Sequence, residues 1–148
     1  MQIHIATEAD IPELCTLLAE LFRQEAEFSP DSGTQARGLR SIVENPAIGH
    51  IFVVKQQDRA IAMVSLLYSV STALGGRVAW LEDMVVGAES RTSGIGSALL
   101  QHALEYARRN GCLRVTLLTD RDNQAAQRFY QRQGFSASEM LPMRLLLD

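Results

Sequence analysis

The sequence predicts an α/β protein, a mixed sheet covered by helices in the order β-α-α-β-β-β-α-β-α-β. Three observations predict it. Runs rich in β-branched residues alternate with stretches whose apolar residues recur three and four apart. Glycines and polar clusters separate those runs at the spacing of turns, with no linker, repeat or low-complexity tract between them. The chain has 148 residues, 47% hydrophobic and 21% charged, enough to bury a sizeable core, so residues 1–148 read as one domain.

Gln2 to Ala6 reads as a short strand. Thr7 to Asp10 supply polar residues suited to capping a helix in which Ile11, Leu14, Leu18, Leu21 and Phe22 share a face. Pro12 fits the first turn, where its missing amide would have no intrahelical partner. Ser29 to Gly33 reads as a loop, and Gln35 to Glu44 as a second helix stopped by Asn45 and Pro46. His50 to Lys55 and Ala60 to Val70, joined by a turn over 56–59, predict an antiparallel hairpin. Gly75 and Gly76 then turn the chain into a strand over Val78 to Val86. Leu99, Leu100, Ala103, Leu104 and Ala107 mark one face of a helix ended by Asn110 and Gly111. Arg114 to Thr119 reads as a strand, Asn123 to Gln133 as a helix closed by Gly134, and Phe135 to Leu147 as one or two final strands.

Composition narrows the function. A net charge of -3 argues against a general nucleic-acid binder, which normally carries a basic surplus. Cys15 and Cys112 stand far apart, and His4, His50 and His102 are scattered, so neither a zinc site nor a disulfide framework is indicated. No metal is expected. The opening MQIHIATEAD lacks a basic leader, and no apolar run approaches the length of a membrane span, which makes a cytoplasmic protein without membrane contact the expectation.

The segment Glu89 to Leu100, ESRTSGIGSALL, stands between a strand and a helix. Amides at a helix N-terminus lack intrahelical partners, and the dipole there favours anions, so the stretch from Thr92 to Ser97 suits a phosphate. Gly94 and Gly96 permit close approach and positive φ, and Arg91 can pair with a phosphate oxygen. An isolated G-x-G serves equally as a strand-to-helix turn. A P-loop reading fails because Gly96 is followed by Ser97 and Ala98, with no lysine. A dinucleotide site is weakened because Leu99 fills the third small position and seven residues part Val86 from Gly94, although Asp120 lies at a suitable distance for a ribose.

Arg91-Thr-Ser-Gly94-Ile-Gly96 resembles the R/Q-x-x-G-x-G/A signature of the GNAT N-acetyltransferase superfamily. Farther on, Asp122-Asn123-Gln-Ala-Ala-Gln-Arg-Phe129-Tyr130-Gln-Arg-Gln-Gly134-Phe135 is similar to that family's second motif, and the element order agrees across nearly the whole chain. The resemblance implies a GNAT-like acyl-CoA N-acyltransferase fold whose central sheet splays apart between the strand ending at Val86 and the next. It implies acetyl-CoA as donor. The pyrophosphate would lie on the amides of Arg91, Thr92, Ser93, Gly94, Ile95, Gly96 and Ser97, and the pantetheine beside Met84, Val85 and Val86, where an unpaired strand edge needs a partner. Asn123 would orient cofactor or substrate, though a helix N-cap explains it as well.

For chemistry, the resemblance points to Tyr130 as donor to the departing thiolate. A phenol near 10 is about 1.5 units weaker as an acid than a thiol near 8.5, which costs roughly 2 kcal/mol before hydrogen bonding offsets it. Glu82 and Asp83 lie in the strand bordering the acceptor site, and alternation along a strand sends one of them in. Glu82 is similar to a glutamate of small-amine and polyamine acetyltransferases, where it acts as a base through water. Direct transfer from an ammonium near 10.4 to a carboxylate near 4.3 is about six units uphill, so a raised carboxyl pKa, a water relay or a desolvated amine is needed. Glu20, Glu25, Glu27 and Asp31 form an acidic group that can attract a cationic amine or simply face solvent.

The expectation is therefore direct transfer, in a ternary complex, of an acetyl group to a primary amine, with a small amine, polyamine or amino-acid-like acceptor favoured. A CoA-binding sensor or interaction domain without turnover, a protein amino-group acetyltransferase and a dinucleotide-binding protein remain alternatives. A homodimer through late strands is compatible with the family, but Leu145 to Leu147 read equally well as a core strand.

Overall fold

Strand β1 (Gln2–Ile5) precedes helices α1 (Ile11–Gln24) and α2 (Ser32–Val43) in the computed structural model, which describes residues 1–24 and 30–148. Strands β2 (Gly49–Gln56), β3 (Arg59–Ser71) and β4 (Gly76–Val86) follow, then α3 (Ile95–Arg109), β5 (Val115–Leu117) and α4 (Gln124–Arg132). The sheet order is β1-β2-β3-β4-β5. The first four strands are antiparallel, and β5 joins β4 in parallel after α3 has crossed the sheet, as a parallel pair requires. The β2–β3 hairpin closes tightly because Gln57 and Asp58 both take positive φ, 53° and 61°.

Period-2 alternation sends each strand's side chains to opposite layers. Phe52, Val54, Val64, Leu66, Ala79 and Leu81 face α3, where Leu99, Leu100 and Ala103 close the layer. Ile51, Val53 and Met63 face Leu14, Leu17 and Leu18 of α1 and Leu39 of α2. Each such Val, Leu, Ile, Phe or Met side chain contributes about 1.5–3 kcal/mol on leaving water, and truncating Leu14 to alanine would cost about 2–5 kcal/mol with its cavity. Asp10 is buried where β1 turns into α1, and its carboxylate accepts from the Thr7 amide at 2.8 Å and pairs with Lys55 Nζ at 2.5 Å.

Three elements depart from the sequence reading. Helix α2 starts at Ser32 because Asp31 caps it, its Oδ1 accepting from the Thr34 amide at 3.2 Å, so Ser32 and Gly33 are helical instead of loop. Ser29, like Glu25 and Glu27, lies outside the described residues. Strand β5 is limited to Val115–Leu117. The final strands expected over Phe135 to Leu147 do not form: the sheet ends at β5, and residues 135–148 enter no ladder. Apolar character alone does not make a strand, and Pro142 removes one ladder donor from the segment.

Candidate functional site

Strand β4 pairs with β5 through Ala79, Trp80 and Leu81 alone. From Glu82 to Val86 it continues along β3 while β5 has ended, so the sheet splays open on that side. The Gly87 amide donates to the Ile61 carbonyl on the β3 side. Antiparallel alternation therefore turns the polar groups of Val86, and of Met84 one step further back, toward the open edge. The same alternation turns those of Val85 toward β3, so the expected pantetheine edge is better supplied by Met84 and Val86 than by Val85.

A bulge interrupts β4 at the centre of this edge. Ser65 pairs with Glu82 and Met63 with Val85, so Val64 alone stands opposite both Asp83 and Met84, and Asp83 adopts a φ of 54°. Aspartate is among the residues that tolerate the left-handed region best. The bulge defeats the alternation rule applied to this pair. Both Glu82 and Asp83 line one cavity of about 570 Å³, together with Leu18 and Phe22 of α1, Asp31, and Thr34, Gln35, Gly38, Leu39 and Ile42 of α2. Three of these residues are acidic. Hydrogen bonds from Thr34, first its amide, hold the Asp31 carboxyl below its ordinary value, so it is anionic at neutral pH.

Beyond Val86 a single 3-10 turn, Ala88–Ser90, leads to the glycine loop. Thr92 and Gly94 are both left-handed, at φ 66° and 82°, and Gly94 is the N-cap of α3. The first intrahelical bond runs from the Ala98 amide to the Gly94 carbonyl at 3.1 Å, which leaves the amides of Ile95, Gly96 and Ser97 ahead of the hydrogen-bonded helix. Space around Gly94 is open: a β-carbon there would meet nothing within 4 Å. One on Gly96 would lie 3.5 Å from Val86, 3.6 Å from Phe129 and 3.7 Å from Met84, so this glycine marks where α3, the end of β4 and α4 converge. The Arg91 guanidinium donates from Nε to the Val86 carbonyl at 3.1 Å, and its Nη2 lies 3.8 Å from Glu20 of α1.

Helix α4 brings in the second motif. The Asn123 side chain caps it, accepting from the Ala126 amide at 3.0 Å, so its oxygen is engaged in helix capping. Tyr130 is half-buried, edge-on to Phe129 and to Phe135, and rests on the same layer as Met84 and Val86. Gln133 ties the helix end to α3, donating to Ser97 Oγ at 3.0 Å and accepting from Gln101 at 2.7 Å. Gly96, Met84, Val86 and the Phe129–Tyr130 pair thus gather on the α3 side of the splay, while Glu82 and Asp83 open toward α1 and α2. The sequence reading missed Gln133, the Glu20–Arg91 pair and the cavity role of Asp83. Only the last left a signal, an aspartate inside a strand pattern that disfavours it.

A mixed sheet splayed beside a helix-terminal glycine loop defines the GNAT class of acyltransferase. Residues 11–135 match the acetyltransferase (GNAT) family, and the chain belongs to it. Among curated relatives, a glucosamine 6-phosphate N-acetyltransferase from Trypanosoma brucei brucei is 28% identical over 141 residues, covering 94% of this chain and 91% of the relative. An aminoalkylphosphonate N-acetyltransferase from Salmonella typhimurium is 26% identical over 137 residues, covering 93% and 86%. A crystal structure of a Trypanosoma brucei acetyltransferase superposes with a TM-score of 0.77 at 29% identity, covering 99% of each chain. The protein is thus a GNAT-type acetyltransferase of a family that uses acetyl-CoA. The open surroundings of Gly94, the leading amides of α3 and the stretch of β4 that runs beyond β5 fit such a donor.

Proposed function

We propose that the chain acts as one domain that moves the acetyl group of acetyl-CoA to the primary amine of a small cationic acceptor, by direct transfer in a ternary complex. The observation that carries this reading is the bulge at Asp83, which turns Glu82 and Asp83 together into a cavity of about 570 Å³ that also holds Asp31. Three carboxylates around one cavity attract an ammonium group and favour its charged form until it reaches the site.

Each protein group then has a task. The α3 amides from Ile95 to Ser97, with Arg91, Thr92, Ser93 and Gly94, hold the pyrophosphate of the donor. Glu82 orients a water that takes the ammonium proton and passes it on to solvent, so the carboxylate need not hold a proton that lies about six units uphill. The Met84 amide at the open edge donates to the oxygen that gains charge, worth about 3–4 kcal/mol where such a donor is pre-aligned. Tyr130 donates its hydroxyl proton toward the leaving sulfur and is re-protonated from solvent. Asn123 acts by capping α4 and so setting the approach of Tyr130.

The test is thiol release from acetyl-CoA in the presence of an amine panel. The panel includes polyamines, amino acids, glucosamine 6-phosphate and aminoalkylphosphonates, the last two because similar proteins are named for them, and a peptide with a free amino terminus. Release that depends on a small amine supports the reading. Release with the peptide alone makes the acceptor a protein amino group. CoA binding with no amine-dependent release would make the domain a sensor.

A further inference from the structure

We propose that Ser65 is a positioning residue for the acceptor reaction: its hydroxyl donates to the Glu82 carboxylate when an amine fills the cavity, and so steadies the group that orients the water. It rests on the role proposed for Glu82. Among the described residues, two buried side-chain atoms find no hydrogen-bond partner, an oxygen of Glu20 and the hydroxyl of Ser65. The Glu20 oxygen has the Arg91 guanidinium 3.8 Å away, whereas Ser65 is fully buried in the middle of β3. A hydroxyl withdrawn from water with nothing to bond is costly, and a methyl group in its place would be cheaper. Such a group is expected where function uses what folding does not.

Ser65 stands directly across the ladder from Glu82, one step before the bulge. Residues directly opposite in an antiparallel pair share a face, with β-carbons about 4.5–5.5 Å apart. That face is the one toward α1 and α2. Val64 and Leu66, the neighbours of Ser65 along β3, pack in the α3 layer, while Met63 and the cross-strand Ile51 pack with Leu14 and Leu18. Glu82 lines the cavity on this same side, with Leu18 and Leu39. The hydroxyl therefore lies at the foot of the Glu82 side chain and is closed to solvent, so it acts through Glu82 and not on the acceptor. In the free protein Glu82 is exposed and water solvates its carboxylate. An amine that displaces this water leaves the carboxylate short of donors, and the hydroxyl below supplies one, in a drier site where a charge-assisted bond is stronger. One oxygen is then held from below and the other is left for the relaying water.

Ser65→Ala, Glu82→Ala and the double variant are compared with the wild type by thermal melting and by steady-state thiol release from acetyl-CoA, using the amine of the panel above that releases thiol fastest. Ser65→Ala should melt at or above the wild-type temperature, keep KM for acetyl-CoA within about 2-fold, and lose about 10-fold in kcat/KM for the amine, the worth of one charge-assisted hydrogen bond. In the Glu82→Ala background the same change should cost less than about 2-fold, which a role in packing alone would not produce. Ser65→Cys fills similar space with a weak donor, should behave like the alanine variant, and decides the matter where Ser65→Ala does not fold. Wild-type turnover in Ser65→Ala beside an impaired Glu82→Ala overturns the role of Ser65 and leaves that of Glu82 standing. A loss that persists in the Glu82→Ala background, a clearly lowered melting temperature, or failure of both Ser65 variants to fold makes the hydroxyl structural and also overturns it. Glu82→Ala at wild-type turnover, or no amine-dependent release at all, overturns both roles together.

Discussion

Arg91 donates its Nε to the carbonyl of Val86 across 3.1 Å, which ties the glycine loop to the last residue of β4. That carbonyl faces the open edge of the sheet, and the same guanidinium reaches toward Glu20 of α1 at 3.8 Å. One side chain therefore links the proposed pyrophosphate loop, the strand edge and the helix that walls the proposed acceptor cavity.

Removing it should be felt most by ligands that carry phosphate. Arg91→Ala is expected to weaken CoA about 10-fold, corresponding to about 1.4 kcal/mol for a charge-assisted hydrogen bond, and to leave pantetheine nearly unchanged. Calorimetric titration with both ligands checks this. Equal losses for the two would detach Arg91 from the pyrophosphate.

Gly94 and Gly96 should fail in different ways. At Gly94 a side chain meets open space, but the φ of 82° imposes about 1–2 kcal/mol of strain on any substituted residue, and the side chain would stand where phosphate approaches. Gly94→Val should therefore lower the melting temperature modestly and CoA affinity strongly. Gly96→Val adds methyl groups against Val86, Phe129 and Met84 and should cost about 1–3 kcal/mol by overpacking. Thermal melts with and without CoA separate the two, and a Gly94→Val chain that binds CoA normally would move the phosphate elsewhere.

Tyr130→Phe keeps the edge-on ring contacts with Phe129 and Phe135 and deletes only the hydroxyl. Turnover should fall about 100-fold or more with CoA affinity held within about 2-fold, as expected for a group acting in proton transfer. Steady-state kinetics paired with a binding titration is the measurement. Wild-type turnover would leave Tyr130 as a packing residue.

Glu82→Gln should lower kcat/KM for the amine about 10- to 100-fold at neutral pH. Asp83→Asn keeps a side chain tolerant of positive φ and should raise KM for a cationic acceptor with a smaller effect on kcat. The reverse pattern would exchange the two roles.

What sequence made legible here divides by the range of the interactions. The glycine loop, the helix faces and the motif ending in Phe129, Tyr130 and Gly134 are local patterns, and each element predicted before Phe135 appears with changes at its ends. The bulge at Asp83 was hidden because it depends on how β4 registers against Val64, a relation no run of residues displays. The Gln133 bridge to Ser97 spans 36 positions and joins two helices whose meeting only the tertiary fold decides. The C-terminal segment misled for a related reason: its composition is that of a strand, but a strand also needs a pairing that composition does not display, and the segment enters no ladder.

A last prediction concerns stability on the far side of the α3 layer from the site. His50 holds the Tyr68 hydroxyl at Nδ1, 2.7 Å away, with the Tyr106 hydroxyl 3.4 Å from Nε2. Burial first, and then the Arg77 guanidinium, which lies 4.5 Å over the Tyr68 ring, lower the His50 pKa below its ordinary 6.5. Burial also pushes Tyr68 up to about 12, so the phenol stays neutral throughout the working range. Because the folded value lies below the unfolded one, the unfolded chain binds the extra proton. The contribution of His50 is therefore complete above pH 6.5 and is lost as pH falls through 6.5 toward the folded value. Within that window the slope attributable to this residue has a ceiling of about 1.4 kcal/mol per pH unit. Urea unfolding of the wild type and of His50→Gln, each from pH 8 to pH 5, measures it by difference, since the other titrating groups are common to both chains. The wild type should lose stability more steeply on acidification, and parallel curves would show that His50 carries no linked proton.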